Sequence, residues 1–221
     1  MKGRIPAPCL CLVTSLSVCG DAATLVERTG AAVRGGVNMV QLREKELSGG
    51  DLLELALRLR EATQGQALLF VNERVDVAMA CGADGVQLGE RALPVEAARR
   101  LSSGKLLIGR SVHSAEGALE AEEAGSDVLT VGTVFATASH PGIRPGGVAL
   151  IEEVASRVGL PLLGIGGIEA GNAAQVIRAG ASGVAVIRAV LAAPDPEEAA
   201  RALWQAISLS WPCRSGQGET P

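Results

Sequence analysis

The chain has 221 residues, of which 48% are hydrophobic, 20% charged and only 2% aromatic, and it contains no tyrosine. Its formal net charge is −4, whereas a protein that grips a nucleic-acid backbone needs a basic surface and aromatic side chains on which bases stack. Nucleic acid is therefore not an expected partner. The length allows one domain with a sizeable core or two small domains.

The sequence shows no secretory signal pattern and no apolar run of membrane-spanning length. We therefore expect a cytoplasmic protein with no membrane partner. The five cysteines are odd in number and lack CxxC spacing, which favours buried, reduced thiols over disulfides or a metal site. Cys9 and Cys11 would point to the same face of a strand.

Short apolar runs recur roughly every 25 residues, as expected for repeated βα units. Most of them are continuous instead of alternating, which is typical of parallel strands buried on both faces. In chain order, the predicted strands are residues 9–14, 39–43, 67–72, 85–89, 106–112, 128–134, 161–167 and 183–189.

Segments with helical periodicity lie between these runs, at residues 51–58, 75–81, 114–123, 149–158, 172–179 and 196–209. Ser114 is a predicted N-cap, and Gly125, Gly159 and Gly180 are predicted to end helices. This alternation predicts an α/β fold, a single (β/α)₈ TIM barrel over residues 1–209, with a disordered C-terminal tail at 210–221. An open doubly wound sheet is the alternative, but its switch-point motif is not found.

Active sites of such barrels lie at the C-terminal ends of the strands. Gly166 and Gly167 follow the seventh strand, and Val186 and Ile187 close the eighth. Adjacent glycines let backbone N–H groups approach an anion, and barrels of this kind commonly bind phosphate here. We predict a phosphate site, with tight packing by glycine as the alternative.

The second strand ends in Gln41 and Arg43, which strand alternation places inside the barrel, and Lys45 follows at its rim. A barrel-interior arginine is costly unless it meets an anion or a carboxylate. Lysine is scarce in this chain, with only three residues, so its position beside Arg43 favours a second anion site. A structural Arg–Glu pair is the alternative.

The remaining strand ends also carry polar side chains. Asn72 and Glu73 follow strand three, where they could hold Mg²⁺ through oxygen atoms or cap the next helix. Glu90 follows strand four, and His113 follows strand five, where it suits acid–base work or orients a loop. The loop at 136–147 could donate to a diphosphate and close over the site.

Seven motifs in order resemble the thiamine-phosphate synthase superfamily, which also contains the thiazole tautomerases. They are QLREK (41–45), VNERVDVA (71–78), ADGVQLGE (83–90), IGRSVHS (108–114), VGTVFAT (131–137), GIGGI (164–168) and ASGVAVIRAV (181–190). The resemblance runs from about Leu10 to about Ser208. The synthase joins a pyrimidine-methyl diphosphate to a thiazole phosphate, whereas the tautomerase isomerises a thiazole carboxylate phosphate by proton transfer.

The resemblance implies roles for the residues that match the motifs. Binding of the pyrimidine diphosphate falls to Gln41, Arg43, Lys45, Asn72 and Ser111. Glu73 would be a Mg²⁺ ligand, and Thr137 and Ser139 would hold the thiazole phosphate or its carboxylate end. Gly166, Gly167, Val186 and Ile187 would surround the phosphate. Thr133 stands where the tautomerase has its histidine, so His113 or His140 would have to move the proton in that reaction.

Three departures from the family pattern concern the diphosphate side. Glu73 replaces the first metal-binding aspartate, Ala92 replaces the second, and His140 replaces a loop lysine. Glu90 or Arg144 would have to compensate. The sequence therefore predicts a thiamine-phosphate synthase acting on phosphorylated small molecules, with a thiazole tautomerase or a non-catalytic thiazole-phosphate binding protein as alternatives. A homo-oligomer is left open.

Overall fold

The computed structural model describes residues 4–63, 65–137, 142 and 144–211. Eight parallel strands form a closed barrel in the order β1-β2-β3-β4-β5-β6-β7-β8. They are β1 (Cys9–Val13), β2 (Met39–Leu42), β3 (Leu68–Asn72), β4 (Gly85–Leu88), β5 (Leu107–Val112), β6 (Val128–Gly132), β7 (Leu162–Ile165) and β8 (Gly183–Val186). The predicted (β/α)₈ barrel is confirmed.

Helices surround the barrel, and at least one follows each strand. Those in the described part of the chain are α1 (Leu16–Cys19), α2 (Ala22–Arg34), α3 (Gly49–Thr63), α4 (Val75–Ala80), α5 (Val95–Leu101), α6 (Ala115–Glu123), α7 (Gly147–Ala155), α8 (Ala173–Arg178), α9 (Arg188–Leu191) and α10 (Pro196–Ser210). None of these helices is both long enough and apolar enough to cross a membrane.

One difference from the predicted boundaries lies at the end of the eighth strand. The eighth strand was predicted to reach residue 189, but β8 ends at Val186 and α9 begins at Arg188, because the short apolar run suits a helix as well as a strand. The helix ends at Gly125 and Gly180 are confirmed by φ angles of 88° and 105°. The predicted end at Gly159 is wrong, since α7 already stops at Ala155.

The side chains of the strands alternate between two separate cores. The inward-facing set fills the barrel and includes Cys9, Cys11, Val13, Met39, Phe70, Leu107, Val128, Leu163 and Ala185. The outward-facing set packs under the helices. Cys9 and Cys11 lie on one face, as predicted, and burial raises the pKa of the Cys11 thiol to about 12. A Cβ on Gly85 would come within 2.5 Å of Phe70 Cε1, so this glycine makes room for the Phe70 ring inside the barrel.

A repeated hydrogen bond fastens the face of the barrel that holds the strand N termini. The residue before each even-numbered strand accepts the N–H of a residue at the start of the preceding odd-numbered strand: Asn38 from Leu10 at 2.9 Å, Asp84 from Leu69 at 2.7 Å, Asp127 from Ile108 at 2.7 Å and Ser182 from Leu162 at 3.4 Å. Arg60 pairs with Asp84 and Arg99 with Asp127. Residues on this face stabilise the barrel and leave its opposite face to bind ligands.

Candidate functional site

A cavity of about 590 Å³ opens at the C-terminal ends of the strands. All predicted site residues in the described part of the chain line it: Gln41, Arg43, Lys45, Asn72, Glu73, Ser111, His113, Thr133, Thr137, Gly166, Gly167, Val186 and Ile187. Ser139 and His140 lie outside the described residues. Both predicted anion sites therefore share one cavity.

The side of the cavity formed after β2 is cationic. Arg43 is half-buried and forms no ion pair with any other residue that the structure describes, so the alternative of a structural Arg–Glu pair is wrong. Lys45 is half exposed, and its Nζ lies 3.6 Å from Glu73 Oε1. An exposed pair at this distance contributes little to stability. Both cations are thus available to an anionic ligand.

Glu73 is held in an uncommon backbone conformation at the same side. Its φ angle is 60°, in the left-handed region that costs a residue with a side chain about 1 kcal/mol or more. Its N–H donates to the Gln87 carbonyl at 2.9 Å. A Cβ on Gly89 would lie 2.7 Å from Glu73 Oε1. The missing side chain at Gly89 therefore makes room for the Glu73 carboxylate at the cavity wall.

Amide side chains form hydrogen bonds in the wall below the mouth. Gln41 is buried, and its Nε2 donates to Asn72 Oδ1 at 3.2 Å. Gln87, which is only 1% exposed, donates to Ser111 Oγ at 3.0 Å. These bonds fix the rotamers of Asn72 and Ser111, because the amides that bind them have no room to move in the packed barrel.

Thr130 is a wall residue that was not predicted from the sequence. It lies inside β6, is 6% exposed and lines the cavity. Strand alternation could have identified it, because Thr130 is two residues before Gly132 and so faces the same side of the strand. Arg91 and Arg188 also line the cavity, and neither was predicted to contact a ligand.

His113 lies at the mouth, as predicted, between β6 and the segment after β4. Its Nδ1 contacts the carbonyl oxygen of Gly132, and since a carbonyl only accepts, Nδ1 carries the proton in the neutral ring. Its Nε2 lies 4.0 Å from Glu90 Oε1. Arg110 Nη2 donates to the backbone oxygen of Glu90 at 3.0 Å. The contact with Gly132 therefore holds His113 at the mouth, with Nε2 on the side of Glu90.

The side of the cavity formed after β7 presents backbone groups. Gly166 and Gly167 have φ angles of 107° and 61°. A Cβ on Gly166 would lie 2.5 Å from Thr133 Cγ2, and one on Gly167 would lie 2.8 Å from Phe135 Cβ. Close packing against the segment after β6 thus requires both glycines. Asn172 Nδ2 donates to the Gly167 carbonyl at 2.9 Å, which holds the turn in place.

Helix α9 completes this side, where the predicted eighth strand continued to residue 189. It begins at Arg188, directly after Ile187. The first N–H groups of any helix lack partners inside the helix and carry partial positive charge. Arg28 Nε, from α2, donates to Leu191 O at 2.9 Å and so holds the other end of α9. The glycine turn and the start of α9 together form a site suited to a phosphate group.

The two predicted anion sites lie on separate parts of the barrel mouth. β2, which precedes Arg43 and Lys45, is three strands from β7 and two strands from β8 in the closed ring of eight, so the cationic side and the backbone N–H side occupy separate parts of the barrel mouth. Apolar side chains of Val13, Ile165 and Ala185 line the space between them. Among the described residues no group of three or more His, Cys, Asp or Glu is placed to hold a metal ion. The cavity can therefore hold two anionic molecules, or one with two anionic ends.

Comparisons with known proteins agree with this geometry. A family model described as thiamine monophosphate synthase matches residues 10–190. A thiamine-phosphate synthase of Roseiflexus sp. (strain RS-1) is 43% identical over 209 residues, which are 94% of this chain and 88% of that protein. A thiamine-phosphate synthase of Chlorobium luteolum is 41% identical to this chain, and the match covers 96% of this chain and 97% of that protein. The solved structure of thiamine phosphate pyrophosphorylase from Pyrococcus furiosus matches with a TM-score of 0.84 and 37% identity, over 91% of this chain and 96% of that one.

Proposed function

Because the chain belongs to the thiamine monophosphate synthase family, we propose that it joins a pyrimidine-methyl diphosphate to a thiazole phosphate, forming thiamine phosphate and releasing diphosphate. The observation that carries this proposal is the pairing of a cationic side with a backbone N–H side in one cavity. A synthase needs both sides, since it holds a diphosphate and a monophosphate at once.

Arg43 and Lys45 bind the diphosphate in this reaction. The bond between the pyrimidine methylene carbon and the diphosphate oxygen breaks, and its electron pair leaves with the oxygen. Negative charge therefore grows on the leaving group, where fixed cations in a partly buried site stabilise it most. Arg43 is suited to this task because its guanidinium is not neutralised by any described carboxylate.

The remaining wall residues orient the two reacting groups. Gln41, Asn72 and Ser111 contact the pyrimidine, while Gly166, Gly167, Val186, Ile187 and Thr137 bind the thiazole phosphate. Ser139, which lies outside the described residues, is predicted to bind it as well. The thiazole nitrogen then donates its lone pair to the electron-poor methylene carbon and becomes a thiazolium. No proton moves in this step, so positioning contributes most of the rate. His113 orients the segment around Gly132, and a role for His140 stays a prediction.

The residues at the cationic side fit a magnesium ion that shares the diphosphate. Mg²⁺ commonly keeps several waters and uses one or two carboxylates together with substrate phosphates. The Glu73 carboxylate, placed beside Lys45 and given room by Gly89, would supply one such ligand, and Glu90 lines the same cavity. When bound, Mg²⁺ would neutralise charge on the leaving diphosphate. Ala92 offers no oxygen, so we propose that the ion binds weakly before the substrate arrives.

The test is to incubate the purified protein with both substrates and Mg²⁺ and to measure thiamine phosphate after oxidation to its fluorescent thiochrome. We expect product from the wild type and a loss of about 100-fold or more for Arg43→Ala, by analogy with removal of one charge-stabilising donor. Arg178→Ala is the matched control, because Arg178 lies exposed in the last turn of α8. Absence of product from the wild type, together with faster interconversion of thiazole isomers, would replace the synthase by a tautomerase.

A further inference from the structure

The cationic side contains a carboxylate that should oppose its function. Glu44 stands in sequence between Arg43 and Lys45, where its negative charge would repel a diphosphate and compete for both cations. The structure engages it elsewhere. Glu44 Oε1 accepts a hydrogen bond from Thr14 Oγ1 at 2.7 Å, and both carboxylate oxygens lie 3.1 Å from the backbone N–H of Leu16. The charge of Glu44 is therefore compensated by donors at the end of β1 and the start of α1.

Thr14 connects this carboxylate to the backbone of Arg43. Thr14 is 1% exposed, and its N–H donates to Gln41 O at 2.9 Å. Its hydroxyl accepts the N–H of Arg43 at 2.9 Å while donating to Glu44. A hydroxyl has one donor and two acceptor positions, so these two bonds fix its orientation. The side chain of Thr14 thus extends the β1–β2 hydrogen-bond ladder by one step, to the backbone of the diphosphate-binding arginine.

We propose that Thr14 and Glu44 are positioning residues for the diphosphate side of the cavity, an inference that rests on the proposed function. They hold the backbone between Arg43 and Lys45 in one conformation, so the two side chains start from fixed points and lose less entropy when a diphosphate binds. They also hold the Glu44 carboxylate away from the ligand. Neither residue lines the cavity, so both act through Arg43 and Lys45.

Removal of the Glu44 carboxylate separates this role from a simple electrostatic one. If Glu44 only repelled the diphosphate, Glu44→Ala would tighten binding, because a negative charge near the anion is lost. If Glu44 positions the two cations, the same change weakens binding, because the segment becomes free to move and Thr14 loses its acceptor. The two roles therefore predict opposite changes in the affinity for pyrophosphate when Glu44 is replaced by alanine.

The experiment is isothermal titration of the full chain with inorganic pyrophosphate and Mg²⁺, and separately with thiazole phosphate. We expect Glu44→Ala and Thr14→Val to bind pyrophosphate about tenfold more weakly, as is typical for loss of buried hydrogen bonds that include a charged partner. Thr14→Ser keeps the hydroxyl and should bind within about twofold of wild type. Thiazole phosphate should bind all of these proteins equally, which also shows that each variant is folded.

Pyrophosphate affinity in Glu44→Ala or Thr14→Val that equals or exceeds the wild-type value would overturn the proposal. An equal loss of affinity for pyrophosphate and for thiazole phosphate would also overturn the proposal, since that result indicates a general structural role. If the wild type itself binds thiazole phosphate but no pyrophosphate, the proposed synthase function fails first, and the positioning role falls with it. That outcome is distinguishable because it appears before any variant is measured.

Discussion

Replacing Gly167 with alanine tests the phosphate site at a single backbone position. Gly167 has a φ angle of 61°, where a residue with a side chain costs about 1–2 kcal/mol. The added Cβ would also overlap Ala136 O and lie 2.8 Å from Phe135 Cβ. Overpacking of this kind costs about 1–3 kcal/mol. We therefore expect Gly167→Ala to destabilise the fold by about 2 kcal/mol or more, and the turn relieves the overlap only by moving.

Movement of this turn displaces the N–H groups that we propose bind the phosphate. We expect the KM for thiazole phosphate to rise about tenfold or more and Tm to fall by about 4–8 °C, with pyrophosphate affinity unchanged. Gly171→Ala is the matched control, because no atom lies within 4 Å of a Cβ at that position. Steady-state kinetics and a melting curve measure both effects. An unchanged KM for thiazole phosphate in a Gly167→Ala protein of lowered Tm would refute the assignment of the phosphate to this turn.

Three further predictions concern the cationic side of the cavity, the barrel interior and the face of the barrel that holds the strand N termini. Glu73→Gln should raise the Mg²⁺ concentration for half-maximal activity about tenfold, and an unchanged requirement would remove Glu73 as a ligand. Burial raises the pKa of Cys11 to about 12 and that of Cys9 well above its usual range. Neither thiol should therefore react with a disulfide reagent at about pH 8 until the protein unfolds. Mass spectrometry that shows either thiol modified in the native protein would contradict this prediction. Asp84→Ala should lower the free energy of unfolding in urea by about 1–3 kcal/mol while leaving KM unchanged, and a changed KM would show that the two faces are coupled.

The architecture was predictable because eight regularly spaced apolar runs separated by helical segments have few other solutions, although no helical segment was predicted where α2 and α5 lie. Strand parity alone also predicted that Gln41 and Arg43 lie inside the barrel, and both line the cavity. The boundary between β8 and α9 was not predictable, since Val186, Ile187 and Ala189 suit a strand as well as a helix. Packing of α9 against α10 and α2, with Arg28 Nε donating to Leu191 O, favours the helix.

The candidate site was predictable where a residue stands at a strand end and carries its own chemistry. It was not predictable where a residue acts through a distant partner. Thr14 and Glu44 are 30 residues apart, and neither Glu44 nor a threonine at the end of β1 indicates by itself that the two will bond. The same holds for the face that holds the strand N termini. Asp84 and Asp127 each stand directly before a strand, but the N–H group from which each accepts a hydrogen bond depends on the register of the neighbouring strand.

The most direct test of a cavity with two separate anion-binding sides is a crystal structure of the protein with Mg²⁺, pyrophosphate and thiazole phosphate. We predict density for pyrophosphate beside Arg43 and Lys45, with Mg²⁺ between it and Glu73, and density for the thiazole phosphate group at Gly167 and the start of α9. Density for both ligands on the Gly167 side alone, with Arg43 and Lys45 free of ligand, would contradict the account.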